Sequence, residues 1–116
     1  MPPILSSDFV DDYRRLSDSI ASGVAVVTVG RGTRLTGVTV DSFLDVSWDP
    51  PTMLVSVLSL SRIMDVLESA PMFTLSVLNA GQQDIAAWLG ASGQPNYGLL
   101  SDIATVEGDR GPAHIA

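Results

Sequence analysis

Hydrophobic and polar positions follow clear periods along most of the chain. Phe9, Tyr13, Leu16 and Ile20 recur at steps of four, three and four, the spacing of one helical face. Ser6 or Ser7 stands where an N-cap belongs. Asp8, Asp11 and Asp12 occupy the first turns, where the helix dipole favours carboxylates, and Gly23 marks the end. Val24-Ala25-Val26-Val27-Thr28-Val29 is a mostly β-branched run without a charge and predicts a buried strand. Gly30-Arg31-Gly32-Thr33 forms a turn. A second strand over 34–40 puts Thr36, Val38 and Val40 on one face and Leu35, Gly37 and Thr39 on the other. A third over 42–47, with Phe43 and Val46 apolar, must stop at Asp49-Pro50-Pro51, since proline donates nothing to a ladder. Strands over 52–58 and 72–78, a short helix over 63–69 and a helix over 82–89 closed by Gly90 complete the pattern. From Ala91 onward the periodicity decays into Gly, Pro, Ser, Asn and Asp.

The order is therefore helix, four strands, helix, strand, helix. Short turns between the first strands predict antiparallel pairing. The expected fold is mainly β, a barrel-like antiparallel sheet with flanking helices, in a single domain over 1–116 whose last part, 91–116, is irregular. Sheet edges that one subunit cannot close call for a partner chain.

Composition narrows the function classes. The 116 residues carry a net charge of −7, and every cation is an arginine. A nucleic-acid binder needs a basic face, so that class is set aside, as is an anionic membrane surface. No apolar run approaches the roughly 20 residues of a membrane span, and Met1-Pro2-Pro3-Ile4-Leu5 lacks the regions of a signal peptide. These features read as a soluble, cytoplasmic protein. With no cysteine there is no thiolate chemistry, disulfide or thiolate metal site. His114, the single histidine, reads as a frayed tail residue, which leaves neither an imidazole metal site nor a Ser-His-Asp triad. Trp48 and Trp88 read as core or interface residues.

Two hydroxyl-rich segments remain as candidate chemistry. Gly37-Val38-Thr39-Val40-Asp41-Ser42-Phe43 lies at a strand junction, and Ser59-Leu60-Ser61-Arg62 lies between a strand and a helix. Ser61 as N-cap with Arg62 beside it suits an anion such as a phosphate, because a helix N-terminus offers free N–H groups and partial positive charge. Thr39 and Ser42 could meet polar atoms of the same ligand. Read blandly, the same residues are turn hydroxyls and a solvent-facing arginine.

Gly23-Val24-Ala25-Val26-Val27-Thr28, then Gly37-Val38-Thr39-Val40-Asp41-Ser42-Phe43, then Val46-Ser47-Trp48-Asp49-Pro50-Pro51 together resemble the flavin reductase-like domain family. Ser61-Arg62 with Asp65-Val66-Leu67, Phe73-Thr74-Leu75-Ser76-Val77-Leu78 with Gln83-Asp84-Ile85-Ala86, and the opening Tyr13-Arg14-Arg15-Leu16 extend the resemblance over about residues 9 to 90. It implies an FMN-binding split barrel working as a homodimer. It also implies FMN or FAD as cofactor, NADH or NADPH as co-substrate, and a partner monooxygenase that takes up the reduced flavin. The cofactor-binding residues it implies are Thr39, Val40, Asp41, Ser42, Ser47, Trp48, Ser59, Leu60, Ser61 and Arg62, with no catalytic side chain and no metal. Asp41 stands where the family has Ser or Asn, and its carboxylate would repel a bound phosphate. Ile63 replaces a Thr common after Ser-Arg. The chain stops before the family's later strands, so the barrel is expected to be truncated and completed by dimerisation.

The leading reading is an NAD(P)H:flavin oxidoreductase. The alternatives are a flavin- or small-ligand-binding barrel without turnover and a structural or interaction subunit.

Overall fold

A computed structural model of the chain describes residues 6–20, 22–59 and 61–116; Met1-Pro2-Pro3-Ile4-Leu5 and the candidate site residue Leu60 lie outside them. Helix α1 spans Ser7–Asp18. Its cap is Ser6, whose side chain accepts the Phe9 N–H at 3.2 Å. It stops well before Gly23. Ser19 turns its hydroxyl and its N–H onto the Leu16 carbonyl, at 2.6 and 3.2 Å, and so satisfies an end that the helix itself cannot.

Strand β1 (Ala25–Val29) is buried along its whole length, as its composition predicts. It is the centre of an antiparallel sheet, flanked by β2 (Thr36–Val40) and β5 (Thr74–Val77). Val27 pairs with Val38 on one side and Leu75 on the other. Each face of β1 meets its own core. Ala25 and Val27 pack with Val40, Val38 and Leu75, while Val26 packs with Leu89, Leu99, Leu100 and Ile115. Two covered faces explain why the strand needs no polar alternation. Between β1 and β2 the chain turns at Gly30, whose φ is +89° and whose missing Cβ would stand 2.3 Å from the Arg34 carbonyl oxygen, so only glycine fits.

Two residues after β2 the chain enters β3 (Phe43–Trp48), which pairs with β4 (Pro51–Val55) in a separate hairpin. Trp48 faces Pro51 across the turn, and the register slips between Asp45 and Ser47. Proline is tolerated here because it opens its strand. Beyond them come α2 (Met64–Ser69) and α3 (Gln83–Gly90).

The pairing is antiparallel as expected: among the described residues the strands divide among three antiparallel sheets, and Asp41 and Ser42 make the corner at which the chain leaves the first for the second. Residues 91–116 contain more order than their composition suggests. The short strands β6 (Thr105–Val106) and β7 (His114–Ile115) pair, and Leu99, Leu100, Ala113 and Ile115 are buried. His114 is exposed but sits in β7 opposite Val106, so it is not a frayed tail residue. Hydroxyls hold this segment to the main sheet: Thr28 donates to the Ala113 carbonyl at 2.7 Å, Thr74 to the Pro112 carbonyl at 2.7 Å, and Ser76 accepts the Ile115 N–H at 3.1 Å. Among the described residues, no helix is long and apolar enough to cross a membrane.

Candidate functional site

A cleft of about 630 Å³ opens where β2 runs out into the Asp41–Ser42 corner. Its volume lies in the range of cofactor sites, ~300–1,000 Å³. Three segments enclose it. Val38 through Ser42 form one side, Ser56, Val57 and Leu58 with Ser61 and Arg62 a second, and residues 89–94 at the end of α3 the third.

Of the residues expected in the site, Thr39, Val40, Asp41, Ser42, Ser61 and Arg62 line this cleft. Ser47 and Trp48 do not. They border a shallow depression at the hairpin tip with Asp45, Pro51, Thr52 and Met53, and Trp48 is 87% exposed. The hairpin carries them away because it belongs to a different sheet. Trp48 is thus not a core residue, and neither is Trp88, which is about half exposed and donates its indole N–H to the Leu99 carbonyl at 2.8 Å. Ser59 is exposed and outside the cleft lining.

The expected N-cap role of Ser61 also changes. Helix α2 starts at Met64 with Ile63 as its cap, and Ser61 instead takes part in the turns before it: its N–H donates to Leu58 and its carbonyl accepts from Met64.

Thr39 and Arg62 are already engaged with the protein. The Thr39 hydroxyl donates to the Ala86 carbonyl at 2.6 Å, tying β2 to α3. The Arg62 guanidinium donates from Nη2 to the carbonyls of Gly37 at 2.7 Å and Leu89 at 3.3 Å, and from Nη1 to the Thr36 hydroxyl at 3.3 Å. Burial lowers its pKa from the ordinary arginine value. Asp41 is exposed at the cleft rim, and the Ser42 hydroxyl lies 3.4 Å from its carboxylate.

The segments missed from sequence are Ser56 to Leu58 and residues 89–94. The second had a readable signal: Gly90-Ala91-Ser92-Gly93-Gln94 is a small-residue loop directly after a helix, the composition that permits close approach of a ligand. Chemically, the cleft combines the apolar surfaces of Val38, Val40, Val57 and Leu58 with the hydroxyls of Ser42, Ser56, Ser61 and Ser92 and the amide of Gln94. That set suits a flat, largely apolar ring system with polar edges. Its lining holds no histidine or cysteine.

Known proteins are similar to this chain in sequence and in fold. The NADH-dependent FMN reductase AsuE2 of Streptomyces nodosus subsp. asukaensis is 38% identical over 85 residues, 73% of this chain and 46% of that protein. The reductase component of 4-hydroxyphenylacetate 3-monooxygenase from Thermus thermophilus is 33% identical over 88 residues, 76% of this chain and 58% of that protein. The chain thus spans about half the length of these curated relatives. Among solved structures, the NADH:FAD oxidoreductase SgcE6 of Streptomyces globisporus C-1027, in complex with NAD and FAD fragments, superposes with a TM-score of 0.82 at 30% identity, covering 99% of this chain and 68% of that one. The family description "Flavin reductase like domain" matches residues 17–116. It begins after the Tyr13-Arg14-Arg15-Leu16 opening and runs past residue 90, where the sequence motifs end. With the C-terminal segment included in that match and in the core, the chain belongs to the flavin reductase like domain family.

Proposed function

We propose that the cleft is a flavin site and that the protein works as an NAD(P)H:flavin oxidoreductase, with FMN or FAD as the flavin. The observation that carries this reading is the position of the cleft: the Thr39-Val40-Asp41-Ser42 segment, on which the motif resemblance centres, forms one of its walls. Relatives named as NADH-dependent FMN and FAD reductases support it. The cleft fits the group by size and by its hydroxyl and apolar lining. Val38, Val40, Val57 and Leu58 would flank the ring, while Ser42, Ser56 and Ser61 would meet its polar edges. When bound, a flavin supplies hydride acceptance from a reduced nicotinamide. The side chains supply orientation and exclusion of water, and an acid or base is not needed.

The reading extends to a split barrel completed in a homodimer, located in the cytoplasm and delivering reduced flavin to a monooxygenase. One copy leaves the apolar face of α1 and much of the β3–β4 hairpin exposed, and a second copy would cover such surface. The relative from Thermus thermophilus is a monooxygenase reductase component.

The test is a titration of FMN, followed by flavin fluorescence, and then NADH oxidation with FMN present. Saturable quenching with NADH consumption is expected. Quenching without NADH or NADPH consumption would assign a flavin-binding module without turnover. No quenching at high micromolar protein would overturn the flavin site.

A further inference from the structure

We infer that Arg62 is a positioning residue, which holds residues 89–94 as a wall of the cleft by tying β2 to the end of α3. This rests on reading the cleft as the flavin site. In that site Arg62 would not serve as the partner of a ligand phosphate.

The last carbonyls of a helix have no partner within it and carry partial negative charge. In α3 these include the carbonyls of Trp88 and Leu89. The Trp88 carbonyl accepts from the Ala91 N–H at 3.5 Å and from the Gln94 amide at 3.3 Å. The Leu89 carbonyl accepts from Arg62 at 3.3 Å. The same nitrogen, Nη2, reaches the Gly37 carbonyl at 2.7 Å. Gly37 lies in β2, which is an edge strand of its sheet. One planar group therefore bridges a sheet edge and a helix end, and its other arm reaches Thr36.

This engagement takes three of the five N–H donors of an arginine. Both protons of Nη2 are committed, so the bidentate fork that recognises phosphate is already occupied. After Leu89 the chain continues as Gly90-Ala91-Ser92-Gly93-Gln94, a loop with little to stiffen it. Its position depends on the helix end from which it starts.

A lysine separates the two roles. An ammonium keeps the positive charge but cannot reproduce the planar bridge. The experiment compares Arg62→Ala and Arg62→Lys with the parent protein. One readout is the affinity for FMN and for riboflavin, which lacks the phosphate. The other is amide hydrogen exchange of the last turn of α3 in the ligand-free protein. Expected is an equal loss for both flavins, about tenfold, only partly restored by lysine, with faster exchange in that turn. A loss confined to FMN and restored by lysine would overturn the assignment, as would unchanged exchange. If the parent protein binds neither flavin, the cleft reading fails, while exchange still decides whether Arg62 holds the wall. Should Arg62→Ala not fold, Arg62→Lys carries both readouts.

Discussion

Thr39 and Gly90 touch across the junction of β2 and α3: a Cβ built on Gly90 would stand 3.3 Å from the Thr39 Cβ. The absence of a side chain at Gly90 lets the helix end descend onto the strand. There the Thr39 hydroxyl reaches the Ala86 carbonyl. Gly90→Val adds volume where none is free. Overpacking of this kind costs about 1–3 kcal/mol. The variant is expected to lower the urea midpoint and to weaken FMN, because the displaced helix end carries a wall of the cleft. A midpoint equal to the parent's would show that the junction yields without cost.

Thr39→Val tests what the hydroxyl does. Its one proton is given to Ala86, so its loss removes an internal hydrogen bond, worth ~0.5–1.5 kcal/mol. Stability is expected to fall by that amount in chemical denaturation, with flavin affinity changed by no more than about threefold. A larger drop in affinity at unchanged stability would make Thr39 a direct ligand.

Asp41 lines the cleft as an exposed carboxylate. Near a phosphate it is repulsive, and salt screens such exposed charges. Asp41→Ser is expected to tighten FMN several-fold at low salt and less at high salt, with riboflavin unchanged. Titrations at two ionic strengths check this. Equal affinities for the parent and the variant would place the phosphate away from residue 41.

The sequence made some parts of this fold legible and concealed others for physical reasons. The β-branched run at Ala25–Val29 reads directly as a strand because both its faces are buried. The cap at Ser6 is legible because its bond to Phe9 is local. Part of the cleft is legible in the Thr39-Val40-Asp41-Ser42 segment and in Ser61-Arg62. Residues 89–94 are less legible: they join the cleft through the packing of α3 on β2, and the small residues that follow the helix are a local sign of close approach but do not say to which strand. Ser47 and Trp48 fall outside the cleft because a motif gives order along the chain, not the sheet to which a hairpin belongs. Residues 91–116 hide their core role in the same way. Leu99, Leu100, Ala113 and Ile115 are buried without any periodic spacing, anchored by side chains far away in sequence.

Ser76 measures that anchoring. Its hydroxyl accepts the buried N–H of Ile115, so Ser76→Ala leaves a donor without a partner. The cost of an unsatisfied buried group is about 1–3 kcal/mol. The variant is expected to lose that much stability and to open the C-terminal segment to proteolysis before the rest of the chain. Cleavage kinetics followed by mass spectrometry check it, and an unchanged pattern would mean that the bonds of Thr28, Thr74, Gln82 and Arg31 hold the segment without Ser76.

Helix α1 presents its apolar face to solvent in a single copy of the chain. Phe9, Tyr13 and Leu16 are 55%, 66% and 69% exposed, Ile20 just past the helix end is 70% exposed, and no residue of the helix is buried. An isolated helix of 12 residues is marginal in water, so its order requires burial of this face. A second copy of the chain is the occupant that the homodimer reading names. Leu16→Glu is then expected to shift the protein toward monomer in sedimentation velocity and to reduce its helical circular dichroism. Leu16 has no buried neighbour within α1 to lose, so any effect on a monomeric protein should stay within about 0.5 kcal/mol. A dimer that survives the added carboxylate would place the subunit contact elsewhere, and a parent protein that sediments as a monomer would remove the second copy as the cover for α1.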